Sequence, residues 1–169
     1  MPGALERFLW GTATSGYQIE GGGATDWTDF ELAPGSPVAE PCGAACDSWN
    51  RWREDLDLVA SMGLNAYRFS VEWARVEPER GAFDNGALAR YRAMAEGCLE
   101  RGLTPVVTLH HFTLPRWVAA EGGFEHPDVA AWIGDYASRV AGAMGDVIGV
   151  ACTINEPNVV GLLGYLLGH

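Results

Sequence analysis

The chain of 169 residues contains no hydrophobic run approaching the length of a membrane span. Its amino end, Met1-Pro2-Gly3-Ala4-Leu5-Glu6-Arg7, lacks the cationic start and apolar core of a signal peptide, so a cytoplasmic protein is expected. Positive charge is scarce. Eleven Lys and Arg against 22 Asp and Glu give a formal net charge of -11, which argues against nucleic acid or an anionic membrane as partner. A neutral or cationic ligand, above all a neutral small molecule, suits that balance. Cysteine is sparse too, at positions 42, 46, 98 and 152, and no second Cys or His pair stands at zinc spacing. No metal or cofactor is therefore expected. Cys42 and Cys46 are read as free thiols of a reducing compartment, with a local disulfide as the alternative. Neither a Gly-Lys-Ser/Thr nor a GxGxxG pattern follows a strand, so Gly21-Gly22-Gly23 is a flexible turn and not a phosphate loop.

What is present is a soluble, globular composition, 48% hydrophobic and 20% charged, enough for one domain with a real core. One stretch near the carboxyl end stands out, Thr153-Ile154-Asn155-Glu156-Pro157. The apolar run Val147 to Ile154 hands over an amide and a carboxyl group and is stopped by a proline, which has no N–H for a ladder and biases Glu156 towards extended backbone. On these residues alone Glu156 is equally well a solvated strand-end carboxylate or a functional one.

Phe8 to Ala13 suits a short buried first strand. A long polar connection rich in Gly, Pro, Asp and Ser follows from Thr14 to about Ser48, of a length that is usually functional or mobile. Asn50 to Met62 has helical spacing, with Trp52, Leu56, Val59 and Ala60 on one side, and Gly63 ends it. Leu64 to Val71 reads as the second strand, with Glu72-Trp73 beginning its exit loop. Gly86 to Arg101 is again helical and is ended by Gly102; Thr104 to Leu109 is the third strand. A helix from about Pro127 to Met144 then leads into the fourth strand. Helix-Gly-Leu-strand thus occurs twice, and the helix-strand alternation continues once more. Apolar strands joined by amphipathic helices give a parallel sheet, either doubly wound or part of a (β/α) barrel.

The polar residues favour the barrel. Gln18 follows the first strand, Arg68 and Glu72 lie on or just past the second, His111 follows the third, and Asn155 and Glu156 end the fourth. Parallel strands open their carboxyl ends on one face, so these groups converge. Arg68, between Tyr67 and Phe69, demands an anionic partner, whether in a structural ion pair or at a reacting site. His111 is a site residue or a hydrogen-bonded loop histidine, with His110 pointing the other way. Trp10, Trp49, Trp52, Trp73, Trp117 and Phe112 form either a sugar-stacking wall or ordinary packing.

Taken together, Phe8 to Gly21, Tyr67-Arg68-Phe69-Ser70 with Glu72-Trp73, Thr108 to Pro115 and Thr153 to Pro157 resemble, in order, motifs of glycoside hydrolase family 1, the retaining β-glucosidase and β-galactosidase group on a (β/α)8 barrel. The resemblance implies about four βα units, the first half of a TIM barrel and a single incomplete domain. It implies that Gln18 and His111 bond hydroxyls of the non-reducing sugar, that Asn155 holds the 2-hydroxyl, that Glu156 is the general acid/base and that Arg68 lies against the nucleophilic carboxylate. Phe112 and Thr113 depart from the family's usual Trp and Asp, which bears on sugar preference. A retaining glycosidase needs two carboxyl groups about 5 Å apart, one protonating the leaving oxygen and the other attacking the anomeric carbon. The family's nucleophile, in a Thr/Ser-Glu-Asn-Gly motif, is absent from these residues. Glu72 is a poor substitute, since the second strand sits elsewhere around the mouth. The expectation is a β-glycoside hydrolase whose nucleophile comes from a missing carboxyl-terminal half, or else an inactive half-barrel that binds sugar weakly or self-associates.

Overall fold

The computed structural model describes residues 8–167. Four parallel strands form one sheet in the order β1 (Gly11–Ala13), β2 (Ala66–Ser70), β3 (Thr104–His110) and β4 (Val150–Ile154). Neighbours in sequence are neighbours in the sheet, so each connection is a simple crossover and the arrangement is a run of βα units of the barrel type. The crossovers carry the long helices α3 (Ser48–Ser61), α5 (Asn85–Glu100) and α7 (Val129–Met144); the short helices α1 (Gly16–Ile19), α2 (Asp26–Leu32), α4 (Trp73–Val76), α6 (Arg116–Ala120) and α8 (Pro157–Val159) lie at strand exits and in loops. After α8 the chain continues as a π-helix, Val160–Leu167.

One core joins the sheet to its helices. Tyr67, Phe69 and Val71 pack with Trp52 and Leu56 of α3, with Leu88, Tyr91, Met94 and Cys98 of α5, and with Trp132, Tyr136 and Val140 of α7. Successive strand residues face opposite sides, so the same alternation sends Arg68 and Ser70 to the other face. The Tyr136 hydroxyl bonds the carbonyls of Val71 (2.9 Å) and Leu109 (3.0 Å), pinning α7 to the exits of β2 and β3. Gly63 and Gly102 end α3 and α5 at φ 74° and 71°, a left-handed step that glycine makes without a Cβ penalty and that starts each following strand.

The structure corrects several boundaries. The first strand is three residues, not six. The Asn65 side chain accepts from the Trp10 N–H (2.7 Å) and donates to the Phe8 carbonyl (3.0 Å), while the Trp10 carbonyl accepts from the backbone N–H groups of Asn65 (2.9 Å) and Ala66 (3.1 Å), so the regular ladder begins only at Gly11. The fourth strand starts at Val150 because a 3-10 turn occupies Gly145–Val147. The connection from Thr14 to Ser48 is not structureless: it holds α1 and α2, and Thr25 caps α2 by accepting from the Thr28 N–H. Glu72 begins a helix, not a loop, as the N-cap of α4. Among the described residues no helix is long and apolar enough to cross a membrane.

Candidate active site

The carboxyl ends of the strands gather the polar residues on one rim. Arg68, half-buried on β2, donates from Nε to Thr108 Oγ1 of β3 (2.8 Å) and from Nη2 to Asn155 Oδ1 past β4 (2.8 Å). One guanidinium thus ties three strands together. Asn155 is buried and fixed a second time by its backbone N–H, which donates to the His110 carbonyl (2.8 Å). Among the described residues Arg68 meets no carboxylate within ion-pair distance, so its burial is met by neutral acceptors and not by the anion that the strand context demands.

Gln18, on α1, is exposed, and with His111 it lines a cleft of about 280 Å³ shared with Ser15, Tyr17, Trp27, Glu31, Cys42, Phe112 and Thr113. The loop from β1 is anchored to β2 by the Gly16 N–H donating to Ser70 Oγ (2.7 Å), which fixes where α1 and Gln18 begin. His111 is half-buried and held below its ordinary value, chiefly by loss of solvent and next by the Arg68 cation, while the Glu156 charge acts the other way. That mutual influence joins Arg68, His111 and Glu156 in one electrostatic neighbourhood. His110 is on the opposite side: it is buried edge-on against Phe124, and burial pushes it down to about 4.

Glu156 is exposed and lies just beyond the strand at φ 45°, ψ 57°. The extended backbone expected before Pro157 is therefore not adopted. The right-handed helical region is the one that proline disfavours in its predecessor, and a left-handed step both avoids it and turns the chain into α8, with Pro157 in the first turn. Phe112 is likewise left-handed, at φ 70°. Two non-glycine residues in that region at one rim mark backbone strain of the kind that collects at functional sites.

The aromatic wall is only in part at the cleft. Trp52 and Trp73 are core residues, Trp49 and Trp117 pack against that core, and Trp10 is exposed. Phe112 does line the cleft, together with Trp27, which the sequence reading passed over. Trp27 sits on a seven-residue helix with no extended apolar period, and its only local signal is the Thr25 cap. Glu72 is buried, and its carboxyl group is occupied by the Thr113 hydroxyl (2.8 and 3.0 Å), so it does not face a ligand in the cleft. Cys42 and Cys46 are not joined; the Cys42 thiol donates to the Tyr17 carbonyl (2.9 Å). Among the described residues no group of three or more His, Cys, Asp or Glu is placed to hold a metal ion.

A family model described as Glycosyl hydrolase family 1 matches residues 4–169. The chain is 38% identical over 171 residues to Beta-glucosidase A of Thermotoga maritima, covering 96% of this chain and 38% of that protein. Among solved structures it is similar to beta-glycosidase BGL167 (48% identity, TM-score 0.90, 97% of this chain and 39% of that one). It is also similar to the family 1 β-glucosidase of Thermotoga maritima in complex with isofagomine lactam (37% identity, TM-score 0.91, 96% and 39%). The chain thus spans about two fifths of the length of the relatives it matches.

Proposed function

Because the chain belongs to glycosyl hydrolase family 1, we propose that it carries the acid/base half of a retaining β-glycosidase site, with β-glucosides as the substrate class. The nucleophilic carboxylate is then supplied by polypeptide outside these 169 residues, the carboxyl-terminal half of the barrel, and residues 1–169 are one incomplete domain. The observation that carries this reading is Arg68, held by Thr108 and Asn155 at the strand rim with no carboxylate of its own among the described residues. Such a guanidinium has N–H groups left for a bidentate anion, which is what an attacking carboxylate would be.

In that site Gln18 and His111 bond sugar hydroxyls from the cleft they share, and Asn155 holds the 2-hydroxyl from beside the acid. Glu156, exposed at the rim, protonates the departing glycosidic oxygen while the partner carboxylate attacks the anomeric carbon. The glycosyl-enzyme ester removes that carboxylate's charge, and Glu156, now ionised, takes a proton from water, whose oxygen displaces the ester with overall retention. Phe112 and Trp27 offer apolar faces to a sugar ring in the same cleft.

The test is hydrolysis of aryl β-glucosides by the chain alone and by the chain joined to, or mixed with, its carboxyl-terminal half. Activity is expected only in the completed protein, and Glu156→Ala should lower turnover about 10²- to 10⁴-fold, most for substrates with poor leaving groups. A folded, completed protein that hydrolyses no β-glycoside would sink the proposal. A second reading, a half-barrel that binds sugar weakly or pairs with itself, draws on the exposure of Phe8, Trp10 and Leu166. Under it, Glu156→Ala leaves sugar binding and association unchanged.

A further inference from the structure

The residues that reach the cleft stand on two loops, one after β1 with Gln18 and one after β3 with His111, and a buried polar cluster ties the two together from behind. Glu72 sits at its centre and takes the Thr113 hydroxyl on both carboxyl oxygens (2.8 and 3.0 Å), two residues beyond His111. The Glu72 N–H donates to the Tyr91 hydroxyl (3.1 Å), which in turn donates to the Glu20 carboxylate (2.9 and 3.0 Å), two residues beyond Gln18. Arg75 completes the cluster, pairing with Glu20 (2.7 Å) and bonding the carbonyls of Gly21 and Gly22. Gly21 has no room for a side chain there, since a Cβ would collide with the Ala44 carbonyl.

We infer that Glu72 is a positioning residue for sugar recognition, fixing the His111 loop to the Gln18 loop through Thr113 on one side and Tyr91–Glu20 on the other. The inference rests on the functional reading above. Its geometry is economical, because Thr113 adjoins Phe112, whose left-handed backbone keeps its place only if the residues around it are held. The next residue, Leu114, donates its N–H to the Asp26 carboxylate on α2 (2.8 Å) and accepts the Asp26 N–H on its carbonyl (3.0 Å), so the loop is clamped at two consecutive positions. Removing the Thr113 bond frees the end of the loop that carries His111.

Burial holds the Glu72 carboxyl up at about 8, with the Glu20 charge adding to the effect and Thr113 and Arg75 opposing it. The groups facing it are Glu20 from the β1 loop, Thr113 from the β3 loop, Arg75 on α4, Tyr91 on α5 and Tyr136 on α7. Near neutral pH Glu72 is the uncharged member beside the Glu20–Arg75 pair. At higher pH it becomes a second buried anion next to Glu20, and like charges push the two loops apart.

The experiment uses the complete protein and an aryl β-glucoside. Thr113→Val and Glu72→Ala should each raise KM about tenfold with kcat within about threefold, the size expected when one buried hydrogen bond is lost. The double variant should be no worse than either single one, and Thr113→Ser should restore the wild-type KM. The wild-type KM should rise above pH about 8, and Glu72→Gln, which keeps an acceptor for Thr113 but cannot ionise, should remove that rise. Unchanged KM in both single variants, or additive losses in the double, would overturn the inference. In the same samples the His111 ring resonance should show a step near pH 8 in the wild type and none in Glu72→Gln. This readout needs no turnover, so it scores the coupling even if the complete protein proves inactive and the functional reading fails; a wild-type resonance without the step counts against the coupling.

Discussion

Glu156 sits where strand, turn and helix meet, and its backbone carries the cost. The left-handed conformation at φ 45°, ψ 57° costs a residue with a Cβ about 1–2 kcal/mol, and Glu gains nothing locally in return. Asparagine tolerates that region far better. Glu156→Asn should therefore raise stability by about 0.5–1 kcal/mol in denaturant unfolding while removing the proton-donating group and, with it, hydrolysis of unactivated β-glucosides. A variant both less stable and fully active would contradict the reading of strain kept for function. The sequence placed this residue at the strand mouth but gave it the wrong backbone, because the pre-proline rule excludes the right-handed helix more firmly than it selects the extended one. Arg68 was legible only in part: a guanidinium between Tyr67 and Phe69 in an apolar strand is expected to meet an anion, and among the described residues the neutral acceptors Thr108 and Asn155 answer it instead. Which acceptors do so was not legible, since β3 and the end of β4 lie far off in sequence.

At the level of elements, α3, α5 and α7 and strands β2 and β3 follow from periodicity and from the two helix-Gly-Leu-strand signatures, because long amphipathic patterns survive tertiary context. The helices α1, α2, α4 and α6 did not, each being seven residues or fewer and defined by caps and turns more than by period. The packing between long helices shows how small the tolerances are. Gly97 of α5 lies against Trp52 of α3, and a Cβ there would stand 2.7 Å from the indole Cζ3 and 3.1 Å from Leu56 Cδ1. Gly97→Ala gains helix propensity of just under about 1 kcal/mol but forces two buried side chains to move, at about 1–3 kcal/mol. The net expectation is a loss of about 1 kcal/mol, read as a lower urea midpoint at unchanged slope. A stabilised variant would show that Trp52 has freedom the packing does not suggest.

Across the whole molecule, the convergence of Gln18, Arg68, His111, Asn155 and Glu156 was legible because parallel topology leaves strand exits no other place to go. The buried cluster behind them was not, since Glu20, Glu72, Arg75 and Tyr91 carry no motif that pairs them. That cluster has a consequence for how the fold responds to pH. The Glu72 carboxyl stands at about 8 in the folded protein against an ordinary 4.5, burial being the main cause. Between those values the folded state holds a proton that the unfolded chain releases, so stability falls as pH rises and the fall ends above about 8. Asp26, raised by burial to about 6 from 3.8, acts in the same sense over a lower range. His110 acts oppositely: lowered from 6.5 to about 4, it lets the unfolded chain take up a proton the folded one refuses, so stability is lost as pH drops below 6.5. Above 6.5 neither Asp26 nor His110 contributes a slope, and Glu72 governs the decline. Between pH 4.5 and 6 the two carboxyl groups outweigh His110 and stability falls, between 6 and 6.5 Glu72 and His110 cancel, and from 6.5 stability should drop by about 2 kcal/mol towards pH 8, one proton over that interval. Urea unfolding of the complete protein across this window checks it, and Glu72→Gln should flatten most of the decline. Because the group is buried, added salt should leave the slope nearly unchanged; a decline that salt abolishes would trace instead to repulsion within a chain of net charge -11.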